Sequence, residues 1–402
     1  MSEPKPSSGL LDPDYGKKGV SHPHPDMLAI TASVDAQPGR LITGIGSSER
    51  YFIAKVDDSG KLDKRFGTDG ITWGHFPGDG YVRSIQTTAD NRVFVIGSET
   101  RDYYNNLIVA RFDENGQLDI GFGDNGYKLI ELPIQRKRHD SATAEISHNP
   151  GHANQTHLLA ADKIYIFDHF AKSSAVVRLD LDGNLDRSFS ENGYKYLTPP
   201  GYEGSSNLAF SMTIRNNKIY VCGSIFSWDN LPFVACLNDN GTEDKGFNNT
   251  GYHVLTEQKN HSLRDIVALE KQQGIVCCGY SGLGYICGFK ENGELDFIKY
   301  TDHKQVEARW QFVQTFNEHI ITVGTARIGG ETVDHDEIIV GRWNLDGSPD
   351  TSFGRYQQGW DHLALGLGNE YAYSADRETD GKTIITGNTG GGVILRCLTA
   401  VK

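Results

Sequence analysis

The chain is expected to fold as an all-β, seven-bladed β-propeller of four-stranded blades. Three observations predict this: a motif that returns along the whole chain, a strand pattern before each copy, and two ends that complete one another. The motif is clearest in AKVDDSGKLDKRFGTDG, from Ala54 to Gly70. It returns as ARFDENGQLDIGFGDNG (Ala110 to Gly126), VRLDLDGNLDRSFSENG (Val177 to Gly193) and ACLNDNGTEDKGFNNTG (Ala235 to Gly251). Shorter copies are FKENGELDF (Phe289 to Phe297), RWNLDGSPDTSFG (Arg342 to Gly354) and the truncated GLLDPDYGKKG (Gly9 to Gly19). The turn glycines are Gly9, Gly60, Gly116, Gly183, Gly241, Gly293 and Gly347, spaced by 51, 56, 67, 58, 52 and 54 residues. An aspartate stands three residues after each: Asp12, Asp63, Asp119, Asp186, Asp244, Asp296 and Asp350.

Each repeat reads as four strands. Before the motif lies a short run such as RVFVIGSE (Arg92 to Glu99) or KIYVCGS (Lys218 to Ser224), rich in Val, Ile and Tyr and ended by Gly or a polar turn. The next strand, as in FIAKVD, LIVARFD or AVVRLD, is apolar on both faces, as a strand buried between two sheets should be. Asn115-Gly116, Asp182-Gly183, Asn240-Gly241, Asn292-Gly293 and Asp346-Gly347 then predict two-residue type I′ hairpin turns, whose central residues need positive φ. The fourth strand is expected to hold the LDxxFG stretch.

The ends predict closure. GGVILRC (Gly391 to Cys397) is a third strand with no fourth after it, and Gly9 to Val20 is a turn and fourth strand with nothing before it. Joined, they complete one blade and leave no open sheet edge. The reading is one domain over residues 1–402, with blade boundaries near residues 9, 60, 116, 183, 241, 293 and 347.

At these residues the chain resembles the delta-60 repeat family, bacterial repeats of the form ARLxxDGxLDxxFGxxG. The resemblance covers nearly the whole chain and implies a propeller blade, with almost nothing about activity. Blade five departs most, because Phe297 to Asp302 lacks the FGxxG. The basic column Lys55, Arg111, Arg178, Arg342 and Arg396 is broken by Cys236 and Gly288 in blades four and five. The repeated aspartate is expected to cap the following turn or to pair with the basic column of a neighbouring blade. A calcium loop is the alternative.

Composition narrows the function classes. The formal net charge is -13, from 39 basic and 52 acidic residues, which argues against a nucleic-acid or anionic-membrane binder. The N-terminal MSEPKPSSGLLDPDYG has no apolar core and no small-residue cleavage site, so no Sec signal peptide is expected. The six cysteines sit among apolar strand residues without CxxC spacing, as buried reduced thiols of a cytoplasmic protein would. GxSxG, HExxH and P-loop motifs are all absent.

Candidate site residues therefore come from loops. Links from one blade to the next, and loops between second and third strands, should share one face around the central channel. His24, His75, His139, His261, His303 and His362 fall in or near six of the seven links, and Tyr202 in the remaining one. The other loops on that face add Tyr103, Tyr104, His169, Trp228, Asp229 and His335. Aromatic and ionisable side chains on loops of a rigid scaffold suit ligand binding. The ligand is expected off-centre, stacked on Trp228 or Tyr202 beside Asp229, with His261 supplying hydrogen bonds; Tyr103, Tyr104, His139 and His362 complete the expected set. The insertion ISHNPGHANQTH in blade three carries His148, His152 and His157, which read as a polar surface loop with a three-imidazole metal site as the alternative.

The expected function is a monomeric binding module for a small polar molecule, a glycan or a protein segment. No cofactor is expected, with a divalent metal as the alternative. The rival readings are a metal-assisted hydrolase or lyase with His and Asp at the channel mouth, and an effector exported without a Sec signal.

Overall fold

Seven four-stranded antiparallel sheets form a ring in the computed structural model. It describes residues 10–101, 104–130, 132, 157–160, 162–170, 173–269, 272–301, 306–328, 335–355, 357–366 and 368–399. The inner strands of blades one to seven are Met27–Asp35, Asp79–Thr87, His157–Ala160, Ser206–Arg215, Ser262–Ala268, Val306–Phe316 and Tyr371–Arg377. Each touches the inner strands of both neighbours, and the last touches the first. Blade seven is closed from both ends as expected: Val20–Ser21 pairs with Gly392–Cys397, through Val20 opposite Leu395 and Ser21 opposite Ile394. Leu10 and Tyr15 are buried in that seam. Among the described residues there is no α-helix.

The hydrophobic core is divided into seven clusters, one between each pair of neighbouring blades. This follows from third strands that are apolar on both faces and so bury one side against each neighbour.

The motif does its work at the turn between third and outer strands. The turns are not of type I′. Gly60, Gly116, Gly183, Gly241, Gly293 and Gly347 have φ between 76° and 84°, but the residues before them do not have positive φ. Asp113 accepts the backbone N–H of Gly116 and donates its own to Gln117, which closes a type I turn followed by a left-handed glycine. The glycine is required there for space as well as for φ. A Cβ on Gly116 would lie 2.6 Å from the Phe66 ring of the preceding blade.

LDxxFG is likewise not the fourth strand, except in blade five. In blade one Leu62 makes a single bridge to Val56, the chain turns, and the outer strand starts only at Ile71. The reason is a clasp. Oδ1 of Asp12, Asp63, Asp119, Asp186, Asp244 and Asp350 accepts the backbone N–H two residues on, at 2.9–3.2 Å, and so forces a turn. Four of these carboxylates also pair with the basic-column arginine of their own blade, not of a neighbouring one, while Asp63 pairs with Arg65. The pairs are Arg111–Asp119, Arg178–Asp186, Arg342–Asp350 and Arg396–Asp12, at 2.7–3.0 Å. The arginine then carries the link onward. Its Nη1 donates to a backbone carbonyl of the next blade: Leu181, Asp239, Thr399 or Asp58, at 2.6–3.3 Å. Each guanidinium also lies over the motif's aromatic ring, Phe122, Phe189, Phe353 or Tyr15, at 4.6–5.0 Å.

The irregular blades replace this clasp. In blade four Cys236 takes the arginine position, and Lys218 reaches Asp244 from the second strand at 2.7 Å. Burial, with Asp244 beside it, pushes the Cys236 thiol up to about 12. In blade five Gly288 takes that position and leaves room for Phe297. A Cβ on Gly288 would lie 2.4 Å from that ring, which instead packs under the next blade's turn at Gly347. Leu295–Tyr300 is then a continuous outer strand with Asp296 exposed within it. All six cysteines are buried and free.

Candidate functional site

Antiparallel order puts the links between blades and the loops between second and third strands on one face, opposite the clasps. The turn joining Lys218–Phe226 to Leu231–Asn238 projects from that face with Trp228 fully exposed, at 103%. The turn itself is pinned. Asp229 accepts the Asn260 backbone N–H at its carbonyl (2.6 Å) and the Lys259 ammonium at its carboxylate (2.8 Å). His261 lies in the same link. Its Nδ1 is 2.8 Å from the Lys259 carbonyl, which can only accept, so Nδ1 carries the proton and Nε2 accepts from the Tyr300 hydroxyl at 3.0 Å. The rings of His261, Tyr285 and Tyr300 pack with centroids 5.2–5.8 Å apart. Among the described residues, Asp229, Lys259, His261 and Tyr300 thus form one linked group tied to the turn that carries Trp228. Tyr202 is half-buried against the core between blades three and four, and no hydrogen bond or ring contact joins it to Trp228.

A second group stands on blade six. His362 Nδ1 bonds one oxygen of the buried Glu337, and His335 Nε2 bonds the other at 2.7 Å. Burial pushes Glu337 up, but the two imidazole hydrogen bonds outweigh it and hold the carboxyl below its usual range. Glu370, fully buried nearby, is pushed by burial and then by Glu337 to about 7. Two imidazoles oriented by one carboxylate are a general-base or ligand geometry. Among the described residues, however, no three His, Cys, Asp or Glu side chains are grouped as metal ligands would be.

The inner wall forms the rest of this region. In six blades the inner strand presses its backbone onto a second-strand glycine: Gly44, Gly97, Gly223, Gly279, Gly324 and Gly387. A Cβ there would lie 1.9–2.6 Å from an inner-strand carbonyl oxygen. The same strands carry a bulge, which re-aims Thr31, Arg83, Phe210, Arg264, Gln311 and Tyr373. Blade three has Asp168 at the glycine position, and Arg83 of blade two pairs with it at 2.9 Å. Arg264 lies over Phe210 of the neighbouring blade at 4.4 Å.

Of the other expected residues, His24 is partly exposed, 3.9 Å from Asp26, and His75 is exposed. Tyr104 and His157 are the first residues of strands. Tyr103, His139, His148, His152 and His303 lie outside the described residues. Sequence reasoning did not single out Lys259, Tyr300, Glu337 or Glu370. Asp168 was readable, as the one interruption in a column of glycines.

Comparison with known proteins agrees with the fold. Residues 88–122 and 172–189 match the family model described as a domain of unknown function (DUF5122) beta-propeller. Both segments hold copies of the repeated motif. The chain is a β-propeller. No curated protein sequence matches it significantly. Among solved structures it is similar to Drosophila Semaphorin 2a, at 9% identity over 98% of this chain and 76% of that one, with a TM-score of 0.52. It is also similar to Chaetomium thermophilum Raptor, at 7% identity over 99% of this propeller and 29% of that chain, with a TM-score of 0.53. A catalytically inactive virginiamycin B lyase from Staphylococcus aureus aligns at 10% identity over 94% of this chain and 98% of that one, with a TM-score of 0.46. At these identities the likeness to the first two shows a shared fold and nothing more specific.

Proposed function

We propose that this propeller is a binding module of the delta-60 repeat type, which holds its ligand or partner on the loop face at Trp228. One observation carries the reading: a fully exposed indole on a turn tied down by Asn260 and Lys259. A bare tryptophan contributes nothing to the core, and a fixed aromatic surface is what recognition of a glycan or a protein segment uses. His261, Asp229 and Lys259 supply donors and acceptors in the group linked to that turn. Six buried free thiols support work in a reducing compartment such as the cytoplasm. The closed ring supports a monomer. Net charge supports a ligand other than nucleic acid or membrane.

The test is Trp228→Ala on glycan and peptide arrays. Binding by the wild-type chain should be lost in the variant, while stability changes by less than about 0.5 kcal/mol. Equal binding by both proteins overturns the reading. The His335–Glu337–His362 group favours a second reading, an enzyme using a carboxylate-oriented imidazole; a stoichiometric divalent ion in the purified protein would support it.

A further inference from the structure

A cleft stands elsewhere on the ring. It lies between blades one and two on the loop face, with a volume of about 460 Å³, within the range of ligand pockets. Its floor is aromatic: Tyr51 and Phe76, with ring centroids 4.7 Å apart. Its polar lining includes Arg50, Ser48, Asp79 and His75. Arg50 is held in place. Its guanidinium lies 4.7 Å over the Trp73 ring, and its Nε donates to the Ser47 carbonyl at 3.3 Å. Among the described side chains, no hydrogen bond or ion pair occupies its Nη atoms, and Asp79, of opposite charge in the same cleft, does not pair with it. Ser48 sits at φ 64°, a left-handed backbone that serine tolerates poorly and that occurs at ligand clamps.

These features select a ligand class. A stacked guanidinium with its fork unoccupied suits a phosphate or carboxylate. An aromatic floor suits the C–H face of a sugar ring or another flat body, and bare inorganic phosphate would leave it uncovered. Asp79 and Ser48 accept hydrogen bonds, which hydroxyl groups supply and a purely apolar acid does not. We infer that this cleft binds a sugar bearing a phosphate or carboxylate, its acid group on Arg50 and its ring on the Tyr51–Phe76 floor. The inference does not depend on Trp228, which lies on blade four.

Calorimetry on the full chain tests it with four probes: glucose 6-phosphate, glucuronate, glucose and inorganic phosphate. One of the two acidic sugars should bind at one site, about tenfold or more tighter than glucose and than inorganic phosphate. Glucose 6-phosphate and glucuronate distinguish the phosphate from the carboxylate form. Arg50→Gln should lose that affinity by about tenfold or more, with Arg50→Lys between. Asp79→Asn, at an exposed site, should weaken sugar binding without moving the melting temperature. Failure of both acidic sugars to bind overturns the proposal. So does affinity unchanged in Arg50→Gln, or inorganic phosphate binding as tightly as the sugar phosphate.

Discussion

The two faces of this propeller are built on opposite rules. On the turn face the same atoms recur: an aspartate caps the turn, an arginine of its own blade pairs with it, and an aromatic ring packs beneath. Where the arginine is missing, a substitute fills the space, Lys218 in blade four and Phe297 in blade five. On the loop face the groups differ from blade to blade. Trp228 is bare, Arg50 overlooks a cleft, and Glu337 sits between two histidines. The difference teaches that stability resides in the repeated face, which frees the other face to vary. On the turn face the arginine's bond to a carbonyl of the following blade joins one blade to the next, so its loss reaches beyond its own blade.

The comparison breaks first at the seam. Removing residues 1–22 deletes the outer strand of blade seven, Leu10, Tyr15, and the Asp12 partner of Arg396. Burial of those two side chains alone is worth about 1.5–3 kcal/mol each. A fall in melting temperature and association through the exposed edge are expected. A truncated chain that melts unchanged and stays monomeric would show that closure contributes little.

Next is the clasp. Arg178→Ala leaves Asp186 without its arginine, removes the contact with the Asp239 carbonyl, and unstacks Phe189. The expected cost in urea unfolding is about 3 kcal/mol. Cys236→Ala, at the same position in blade four, should cost about 1–2 kcal/mol as a small buried side chain. If the two cost the same, the arginine is not what distinguishes the regular blades.

The smallest effect sharpens the comparison from the loop face. Glu370 has its carboxyl raised from 4.5 to about 7 by burial, then by Glu337. A raised carboxyl in the folded state binds a proton that the unfolded chain has released. Its contribution is therefore fully present below about pH 4.5 and is lost as pH rises through about 7. Asp265, raised by burial to about 6, acts in the same direction. Stability should decline between pH 5 and pH 8. Glu370→Gln should remove on the order of 2 kcal/mol of that decline. An unchanged pH profile in Glu370→Gln would place the dependence in other groups.

Much of the architecture was legible because the clasp is local. Asp, Gly and Phe sit at fixed offsets within one turn, so their spacing along the chain is their spacing in space. What was misread was also local. The Asn-Gly and Asp-Gly pairs suggest a type I′ turn, but the backbone bonds made by the residue two before each pair, as at Asp113 and Lys290, close a type I turn instead. Hydrophobicity could not show that Asp63 ends the strand pairing after Leu62, because the cap is a hydrogen bond and leaves no periodic trace. The candidate site was legible in part, at Trp228, Asp229 and His261. Trp228 was marked by a tryptophan in a turn, whereas Lys259 and Tyr300 of the linked group come from other segments.

The sequence by itself determined the blade count, the four-strand unit, the closure by both ends and the reduced state expected of its thiols. Each is a periodic or compositional property, and periodicity survives reading in one dimension. Only the tertiary structure decided which charges meet. Arg83 finds Asp168 across 85 residues, His362 finds Glu337 across 25, and the Arg50 cleft exists only where two blades lie side by side. The physical reason is that a ring of blades fixes distances between loops through the packing of strands beneath them. Nothing in the loops' own residues encodes that distance.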